Sequence, residues 1–420
     1  MTTPWLVADR RQLLAFAAAL PAMALAKVPG ARAGYPALKA MVDRYVSERT
    51  VANMLVAIGG RDGPPDYVAA GRTELDAGPK VDLDTLYRIY SMTKPITGCA
   101  IMMLVEQGKL TLDTALSDIF PAYARMNVLT EPTVSLATRR ATKPIRIRHL
   151  VTHSAGLAYP VNAPAPLVKV YDDLNRLYVD RLPGLIAPDK GSTLIPFAEA
   201  AASVPLLFEP GSQWHYSIGL DVAGAVIERI SGEPFDAFLT RHILTPLGMA
   251  DTAFTVPAAK LGRFVASYRR TPGGIELAES PRASTYASPP RMPSGGGGLV
   301  SSTRDYARFM AMLLREGELD GVRILKTETA RTMMSDLLEP GTVAHTFNGD
   351  FGFGSGGRVV TTAKPGGEGL GTYGWSGAAN SYTWVDRVHG LYIVMMTQLR
   401  QSPADHFYAD LDTALYADLA

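Results

Sequence analysis

The spacing of apolar and polar positions changes along the chain, and each change predicts a different element. Apolar residues recur at helical intervals in "YPALKAMVDRYVSERT". Two apolar runs, "MLVAIGGRDG" and "PDYVAAGR", meet at a Gly/Pro turn and predict a hairpin of two strands. The run "SMTKPITGCAIMMLVEQGKL" predicts a buried helix, with Pro95 in its first turn and Gly108 near its end.

The middle of the chain, residues 110–295, favours helices joined by long proline-rich loops. The stretch "SIGLDVAGAVIERISG" has the spacing of an amphipathic helix that ends at Gly232. A second helix is predicted for "PFDAFLTRHILTPLGM". A glycine run then leads into a further helix in "SGGGGLVSSTRDYARFMAMLLREG".

Beyond residue 350 the pattern becomes that of strands. The stretch "YGWSGAANSYTWVDRVHGLYIVMMTQ" predicts a hairpin with its turn at 386–390, and "PADHFYADLDTALYADL" predicts a closing helix. Strands near both termini and helices between them predict an α/β (α+β) fold, with an antiparallel sheet flanked by helices. On this interpretation, residues 34–109 and 296–420 form an α/β domain, and residues 110–295 form an inserted, mostly helical domain.

The first 33 residues have a different pattern. Arg10-Arg11 precedes a short apolar stretch at 13–20, and the small-residue triplets Ala24-Leu25-Ala26 and Ala31-Arg32-Ala33 follow. This order is typical of a secretory signal, and paired arginines are typical of the twin-arginine route. Residues 1–33 are therefore predicted to be a signal peptide of a periplasmic or secreted protein. The alternative is an amphipathic N-terminal helix of a cytoplasmic protein.

Composition excludes several classes of function. The 41 Lys and Arg residues balance 40 Asp and Glu residues, which argues against a nucleic-acid partner. Cys99 is the single cysteine, so no intrachain disulfide can form, and a small core residue is its simplest role. No metal-ligand spacing such as HExxH or CxxC occurs, so neither a metal nor a cofactor is expected. No segment favours stable membrane insertion, and the oligomeric state stays open.

Ser91 and Lys94 form the one S-x-x-K sequence in the chain. If the helix begins here, both side chains project from one face, one turn apart. Ser91 would lie at the positive end of the helix dipole, which stabilises an alkoxide or an oxyanion. Lys94 would take the serine proton or favour the charged form of a neighbour that takes it. The alternative is a serine that caps the helix and a surface lysine.

Two later stretches offer groups that such a serine needs. Tyr216 lies on a loop before a helix, and a phenol near a lysine cation is a coherent proton acceptor, although an aromatic anchor is the alternative. The strand end Ser376-Gly377-Ala378 offers a backbone N–H to an oxyanion, with the N–H of Ser91 as the second donor. A tight strand turn is the alternative there.

Other motifs in the chain carry less weight. "GFGSGG" matches G-x-G-x-x-G and "DFG" occurs at 350–352, but neither lies in a nucleotide-binding or kinase context. G-x-S-x-G is absent, which argues against an α/β-hydrolase. His153 has no acidic partner nearby in sequence, so a structural role is predicted for it.

The order of S-x-x-K, a Tyr-Ser loop and a Trp-x-Gly strand resembles the serine β-lactamase and penicillin-binding-protein superfamily. Within that superfamily, residues 35–415 are most similar to class C-like proteins and to family VIII carboxylesterases. The resemblance implies that Ser91 is the acylated nucleophile and that Lys94 and Tyr216 transfer protons, with the working base left open. It also implies an oxyanion hole from the N–H groups of Ser91 and Ala378, in a cleft between sheet and helical domains.

The chain departs from the penicillin-recognising pattern at two positions. Ile218 replaces the asparagine of Tyr-x-Asn, and Trp375 replaces the lysine of Lys-Thr-Gly. With Ser376 and Gly377, these residues are expected to contact substrate. Without the amide and the cation, the resemblance implies hydrolysis of small esters with short acyl chains and little β-lactamase activity. The alternatives are a D-aminopeptidase or DD-peptidase-like enzyme, an amidase, an acyltransferase, or a non-catalytic binding protein.

Overall fold

The computed structural model describes residues 34–178, 194–344, 350–363, 366–400 and 406–419, so the predicted signal peptide lies outside the described residues. The helices, in chain order, are α1 (Pro36–Ser47), α2 (Thr93–Glu106), α3 (Leu116–Ile119), α4 (Ile147–Val151), α5 (Ala165–Tyr178), α6 (Leu194–Ala201), α7 (Gly219–Ser231), α8 (Phe235–Leu239), α9 (Thr303–Leu314), α10 (Thr327–Met333) and α11 (Phe407–Leu419). The strands are β1 (Asn53–Gly60), β2 (Asp66–Glu74), β3 (Ala77–Lys80), β4 (Leu86–Arg88), β5 (Asn127–Leu129), β6 (Thr138–Arg140), β7 (Ser267–Thr271), β8 (Gly274–Glu279), β9 (Val300–Ser302), β10 (Glu318–Leu319), β11 (Val322–Arg323), β12 (Phe351–Phe353), β13 (Arg358–Val360), β14 (Tyr373–Ser376), β15 (Tyr382–Asp386) and β16 (Leu391–Met396).

One antiparallel sheet joins the two ends of the chain. Its described strands run in the order β12-β13-β14-β15-β16-β1-β2-β3. The central strand β1 pairs with β16 on one side, where Leu55 lies opposite Met396, and with β2 on the other, where Val56 lies opposite Val68. The predicted fold class, an antiparallel sheet flanked by helices, is confirmed.

The side chains of β1 alternate between two apolar layers, as the period of a strand requires. Leu55 and Ala57 belong to the larger core, which includes residues of α2, α7 and α9. Met54, Val56 and Ile58 belong to a second core, which includes residues of α1 and α11. Because helices cover both faces, the strand is buried along nearly its whole length, which explains why its sequence is continuously apolar.

Residues 110–295 hold α3 to α8 and, among the described residues, contribute no strand to the large sheet. They also hold two small hairpins, β5–β6 and β7–β8, which the sequence did not predict. The strands β5 and β6 have three residues each, which is too short for a period of two to stand out. Within the described ranges, no helix has the length and apolarity to cross a membrane.

The segment 373–396 corrects one prediction. It holds three strands rather than a single hairpin, because β14 also pairs with β15. The turn between these two strands includes Asn380, whose φ of +61° is unusual for a residue other than glycine. Asparagine tolerates this conformation better than most residues, which suits Asn380 to the turn in "GAANS".

Candidate active site

Ser91 lies in the short turn Tyr90–Met92 that leads directly into α2. Met92 occupies the position before the helix, and no side chain caps the first N–H groups. Ser91 Oγ instead accepts a hydrogen bond from Lys94 Nζ at 3.1 Å. Tyr90 has a φ of +43°, a costly conformation for a bulky residue and one that is enriched at functional sites. Ser91 therefore does not cap the helix, and its hydroxyl contacts Lys94 instead.

Lys94 is a buried lysine, with 1% of its surface exposed. Its Nζ donates to the carbonyl oxygen of Gly296 at 2.5 Å. The same nitrogen lies 4.5 Å from the ring centroid of Tyr216 and 5.3 Å from that of Tyr159. Ring faces attract a cation, so these contacts and the carbonyl replace part of the lost hydration of an ammonium group. The alternative of a surface lysine is wrong.

Tyr216 completes the group around Ser91. Its hydroxyl lies 2.6 Å from Ser91 Oγ. Its carbonyl oxygen accepts a hydrogen bond from Asn162 Nδ2 at 2.7 Å, which fixes the loop before α7. The ring packs against His153 at 4.7 Å and Trp375 at 5.6 Å between centroids. The structure thus brings together the serine, lysine and tyrosine that the sequence predicted as a set.

His153 packs against the ring of Tyr216. It is fully buried, and burial, followed by the charge of Lys94, holds the pKa of its imidazole well below the ordinary value. A neutral imidazole results, and its Nδ1 accepts a hydrogen bond from the N–H of Ser217 at 3.2 Å. His153 also packs on Phe353, at 5.2 Å between centroids. These contacts agree with the predicted structural role.

The glycine motif "GFGSGG" forms the turn between β12 and β13 and rests on α2. A side chain at Gly356, which has a φ of +82°, would overlap the carbonyl of Lys94. A side chain at Gly98 would overlap the carbonyl of Ser355. The hydroxyl of Ser355 also donates to the carbonyl oxygen of Gly98 at 3.0 Å. The glycines therefore allow close packing of a hairpin on the helix that carries Lys94. This packing explains why glycines occur in the motif, so a nucleotide-binding role is not needed to explain them.

The end of β14 lies beside the turn that carries Ser91. A Cβ at Gly377 would lie 2.5 Å from the carbonyl oxygen of Ile89, so the two backbones touch. Trp375 and Ser376 are half-buried, and Ala378 is exposed. The indole Nε1 of Trp375 stands 3.5 Å from the hydroxyl of Tyr216, the outer limit of a hydrogen bond. The predicted oxyanion strand is thus adjacent to the nucleophile turn.

Comparison with known proteins assigns this fold and site to a family. A family model described as "Beta-lactamase" matches residues 38–418. The chain belongs to the β-lactamase family. Its described residues contain no group of three or more His, Cys, Asp or Glu side chains that could hold a metal ion.

This β-lactamase-family chain is similar to Esterase EstB of Burkholderia gladioli, at 33% identity over 380 residues, covering 86% of this chain and 89% of EstB. It is 35% identical over 339 residues to Protein Rv1367c of Mycobacterium tuberculosis, covering 78% of this chain and 81% of that protein. Among solved structures, EstCE1, described as a hydrolase with promiscuous acyltransferase activity, matches with a TM-score of 0.74 at 25% identity, over 91% of this chain and 98% of that one. The resemblance to family VIII esterases is confirmed, and the chain is a β-lactamase-like hydrolase.

One predicted substrate-contacting residue of this β-lactamase-family protein lies elsewhere. Ile218 is 2% exposed and belongs to the larger apolar core, at the position just before α7. Its N–H donates to Ala158 O at 3.3 Å. The side chain therefore anchors the start of α7 and offers almost no surface to a substrate. The sequence could not show this, because an isoleucine before a helix fits a cleft and a core equally well.

Sequence reasoning missed three residues that surround Lys94, namely Tyr159, Asp221 and Gly296. Asp221 is 3% exposed and accepts hydrogen bonds from the Tyr159 hydroxyl at 2.9 Å and the Gly296 N–H at 3.1 Å. One signal was present: Asp221 is a carboxylate within a stretch, 219–227, that is buried throughout. A buried carboxylate needs partners, so it marks a polar network inside the core.

Proposed function

We propose that this protein is a serine carboxylesterase that cleaves small neutral esters with short acyl chains through an acyl-Ser91 intermediate. The observation that carries the proposal is the contact of one serine oxygen with both a tyrosine hydroxyl, at 2.6 Å, and a buried lysine nitrogen, at 3.1 Å. A nucleophile within hydrogen-bond reach of its base is the signature of covalent catalysis. The similarity to a protein named an esterase supports the choice of ester substrates.

Acylation follows from this geometry. The Tyr216/Lys94 pair takes the hydroxyl proton of Ser91 as Oγ attacks the ester carbonyl carbon. The bond from that carbon to the alcohol oxygen then breaks, and the pair returns the proton to the departing alcohol. In deacylation the pair takes a proton from water, the water oxygen attacks the acyl carbon, and the bond to Oγ breaks. Ser91 regains its proton, so no group of the enzyme is consumed.

The N–H groups of Ser91 and Ala378 are the proposed donors to the oxyanion. Gly377 supports this assignment, since the contact of its backbone with Ile89 brings the end of β14 against the nucleophile turn. Donors fixed by a turn and a strand end need no reorganisation as negative charge develops, which is the main benefit of an oxyanion hole.

The proposed preference for neutral esters rests on Trp375. Its indole occupies the position of the lysine in the penicillin-recognising pattern, and it packs on Tyr216 and on Phe353 at 5.1 Å between centroids. An aromatic wall favours apolar groups and offers no ion pair to the carboxylate of a β-lactam. Ser376 and Gly377 follow on the same strand and complete the proposed contact surface.

Acyl transfer to an alcohol is a second candidate, because the matched structure EstCE1 is described as having promiscuous acyltransferase activity. The two reactions share acylation and differ only in whether water or an alcohol attacks the acyl-enzyme. The ratio of the two products in a water–alcohol mixture distinguishes them.

The test of the proposal compares the wild type and Ser91→Ala on p-nitrophenyl butyrate and on a chromogenic cephalosporin. We expect the wild type to turn over the ester far faster than the cephalosporin, and the variant to turn over neither. Ester turnover that survives the substitution means that another residue is the nucleophile. A preference for the cephalosporin contradicts the assignment of Trp375 to neutral esters.

A further inference from the structure

The charge of Lys94 is buried without a carboxylate in direct contact. Asp221 is likewise buried without a cation in direct contact, and the described residues form no salt bridge to either. A buried charge is costly unless a partner compensates it. The two groups are opposite in sign and belong to one connected network, which suggests that each compensates the other.

Gly296 links the two charges. Its N–H donates to Asp221 Oδ1 at 3.1 Å, and its own carbonyl oxygen accepts from Lys94 Nζ at 2.5 Å. The carboxylate thereby fixes the residue whose carbonyl holds the lysine nitrogen. Ser294, two residues earlier in the same loop, also donates its hydroxyl to Asp221 Oδ1. These two hydrogen bonds to one carboxylate oxygen fix the position of the loop at 294–296.

Tyr159 provides a second link. Its hydroxyl donates to Asp221 Oδ2 at 2.9 Å, while its ring lies 5.3 Å from Lys94 Nζ and 5.3 Å from the ring of Tyr216. Burial, followed by the charge of Asp221, raises the pKa of the Tyr159 phenol well above its ordinary value. The phenol therefore keeps its proton and acts as a constant donor to the carboxylate.

The packing at this point leaves no space for rearrangement. A Cβ at Gly296 would lie 2.5 Å from Asp221 Oδ2 and would also overlap the hydroxyl of Tyr159. The helix α2 reinforces the loop from its other side, because Thr97 Oγ donates to Gly295 O at 2.8 Å. The carbonyl that holds Lys94 is therefore confined from both sides.

We propose that Asp221 is a positioning residue for the Ser91 site, because it fixes the Gly296 carbonyl that holds Lys94 and balances the charge of the buried ammonium. Asp221 itself touches neither Ser91 nor the reacting atoms. This inference rests on the proposed function, since it takes Ser91 as the nucleophile.

The positioning role predicts which kinetic constants change. Asp221 holds the Gly296 carbonyl through the Gly296 N–H, and that carbonyl accepts from Lys94 Nζ. Loss of the carboxylate should therefore slow the attack of Ser91 without changing the surface that binds substrate, so kcat should fall while KM stays nearly constant.

The experiment uses Asp221→Asn, which keeps the size of the side chain and removes its charge. Two readouts are followed between about pH 5 and about pH 10: the rate at which a fluorophosphonate probe labels Ser91, and kcat and KM for p-nitrophenyl butyrate. We expect the labelling rate and kcat to fall between about 10-fold and about 100-fold, since a small misplacement of catalytic groups costs this much. We expect KM to stay nearly constant across this range.

Asp305→Asn is the matched control. Asp305 is also a buried carboxylate, but it accepts from the Asp251 N–H at 2.6 Å and the Thr252 hydroxyl at 3.0 Å, away from Lys94. We expect this control to lower the melting temperature while the labelling rate of the folded protein and its kcat stay at wild-type values. Ser294→Ala is a milder variant that removes one donor to Asp221 and should lower the labelling rate with KM unchanged.

The outcomes separate the two proposals. A wild-type labelling rate and a wild-type kcat in Asp221→Asn overturn the positioning role, as does a fall in rate that only follows a loss of folded protein. If Asp221→Asn does not fold, Ser294→Ala decides, and wild-type behaviour there overturns the role. Labelling that persists in Ser91→Ala overturns the proposed function, and this inference with it.

Discussion

Ser91 Oγ accepts two hydrogen bonds, from the phenol of Tyr216 at 2.6 Å and from the buried Nζ of Lys94 at 3.1 Å. The shorter of the two contacts is to Tyr216, so this hydroxyl is the nearest group that can exchange a proton with the serine. Lys94 stands against the face of the same ring, at 4.5 Å from its centroid, and acts on both oxygens by its charge. At the residue scale, catalysis should therefore depend strongly on one phenolic oxygen.

Tyr216→Phe removes that oxygen and keeps the ring that packs on His153 and Trp375. We expect kcat on p-nitrophenyl butyrate to fall by about 10² to about 10⁴, the usual contribution of a general acid–base group. The melting temperature should change little, because the apolar contacts remain. Steady-state kinetics and thermal unfolding measure the two effects.

Tyr123→Phe is the matched control for this substitution. Tyr123 is buried in the larger core, and its hydroxyl donates to Ala198 O at 2.6 Å. Loss of that bond should cost about 1 kcal/mol of stability and leave kcat intact. Wild-type kcat in Tyr216→Phe would contradict the role of the phenol.

The sequence could predict the three residues that the structure brings together around Ser91 Oγ and could not predict their supports. Ser91, Lys94 and Tyr216 lie in motifs whose chemistry is local and recognisable. Gly296 is 202 positions from the lysine that it holds, and Asp221 acts through that glycine. Contacts at such separation depend on the complete fold, so the glycine run gave no sign of its role, and the acidic residue in an apolar stretch indicated a polar network without identifying its partners.

At the scale of elements, the position of α2 decides where Lys94 points. The turn between β12 and β13 packs on the first turn of this helix, since a Cβ at Gly356 would overlap the carbonyl of Lys94. The N–H of Gly356 donates to Val151 O at 2.9 Å, which ties the same turn to the end of α4. No side chain caps the start of α2, so its first turn depends on tertiary packing to hold its position.

Gly356→Ala tests this dependence, with Gly63→Ala as its control. Both glycines have positive φ, +82° and +78°, but only at Gly356 would a Cβ meet another atom. We expect Gly63→Ala to cost about 1 kcal/mol of stability, from backbone strain alone, with full activity. Gly356→Ala should lose more stability and most of its kcat. Equal effects of the two substitutions on kcat would show that the turn does not control Lys94.

The sequence predicted long elements better than short ones. The helices α1, α2, α7 and α11 and the hairpins β1–β2 and β15–β16 agree with their predictions, because each carries a periodic or continuous run of apolar residues that contacts a core. The sequence also indicated a strand at 375–377 but not its pairing with β15. The hairpins β5–β6 and β7–β8 were missed, since their short strands have few buried positions.

At the scale of the whole molecule, the two chain ends close one sheet, and α11 packs beside α1 on its second core. This interface holds a group whose titration lies near neutral pH. Burial, followed by the charge of Glu368, raises the pKa of Asp412 to about 7, although Arg358 acts in the opposite direction. A carboxyl with a raised pKa in the folded state stabilises the fold below its unfolded pKa, and this stabilisation is lost as pH rises to about 7.

Asp412→Asn should therefore flatten the dependence of stability on pH. Between about pH 5 and about pH 8 the wild type should lose roughly 2 kcal/mol through this group, since each pKa unit is worth about 1.4 kcal/mol. Denaturant unfolding at several pH values measures the slope.

Asp410→Asn on the same helix is the control. Burial opposes ionisation of Asp410, but hydrogen bonds from Tyr45 and Arg44 outweigh it and lower the pKa of its carboxyl. A group that titrates below its ordinary range contributes no slope above about pH 5, so this variant should keep the slope of the wild type. An unchanged slope in Asp412→Asn would contradict the prediction.

The central claim is that Ser91 carries the acyl group during turnover. The most direct measurement mixes the protein with p-nitrophenyl butyrate, quenches with acid, and determines the mass of the intact chain and of its peptides. The account predicts a gain of about 70 Da, one butyryl group, on the peptide that contains Ser91, and no gain in Ser91→Ala. A butyryl group on another residue, or hydrolysis that proceeds equally in Ser91→Ala, would contradict it.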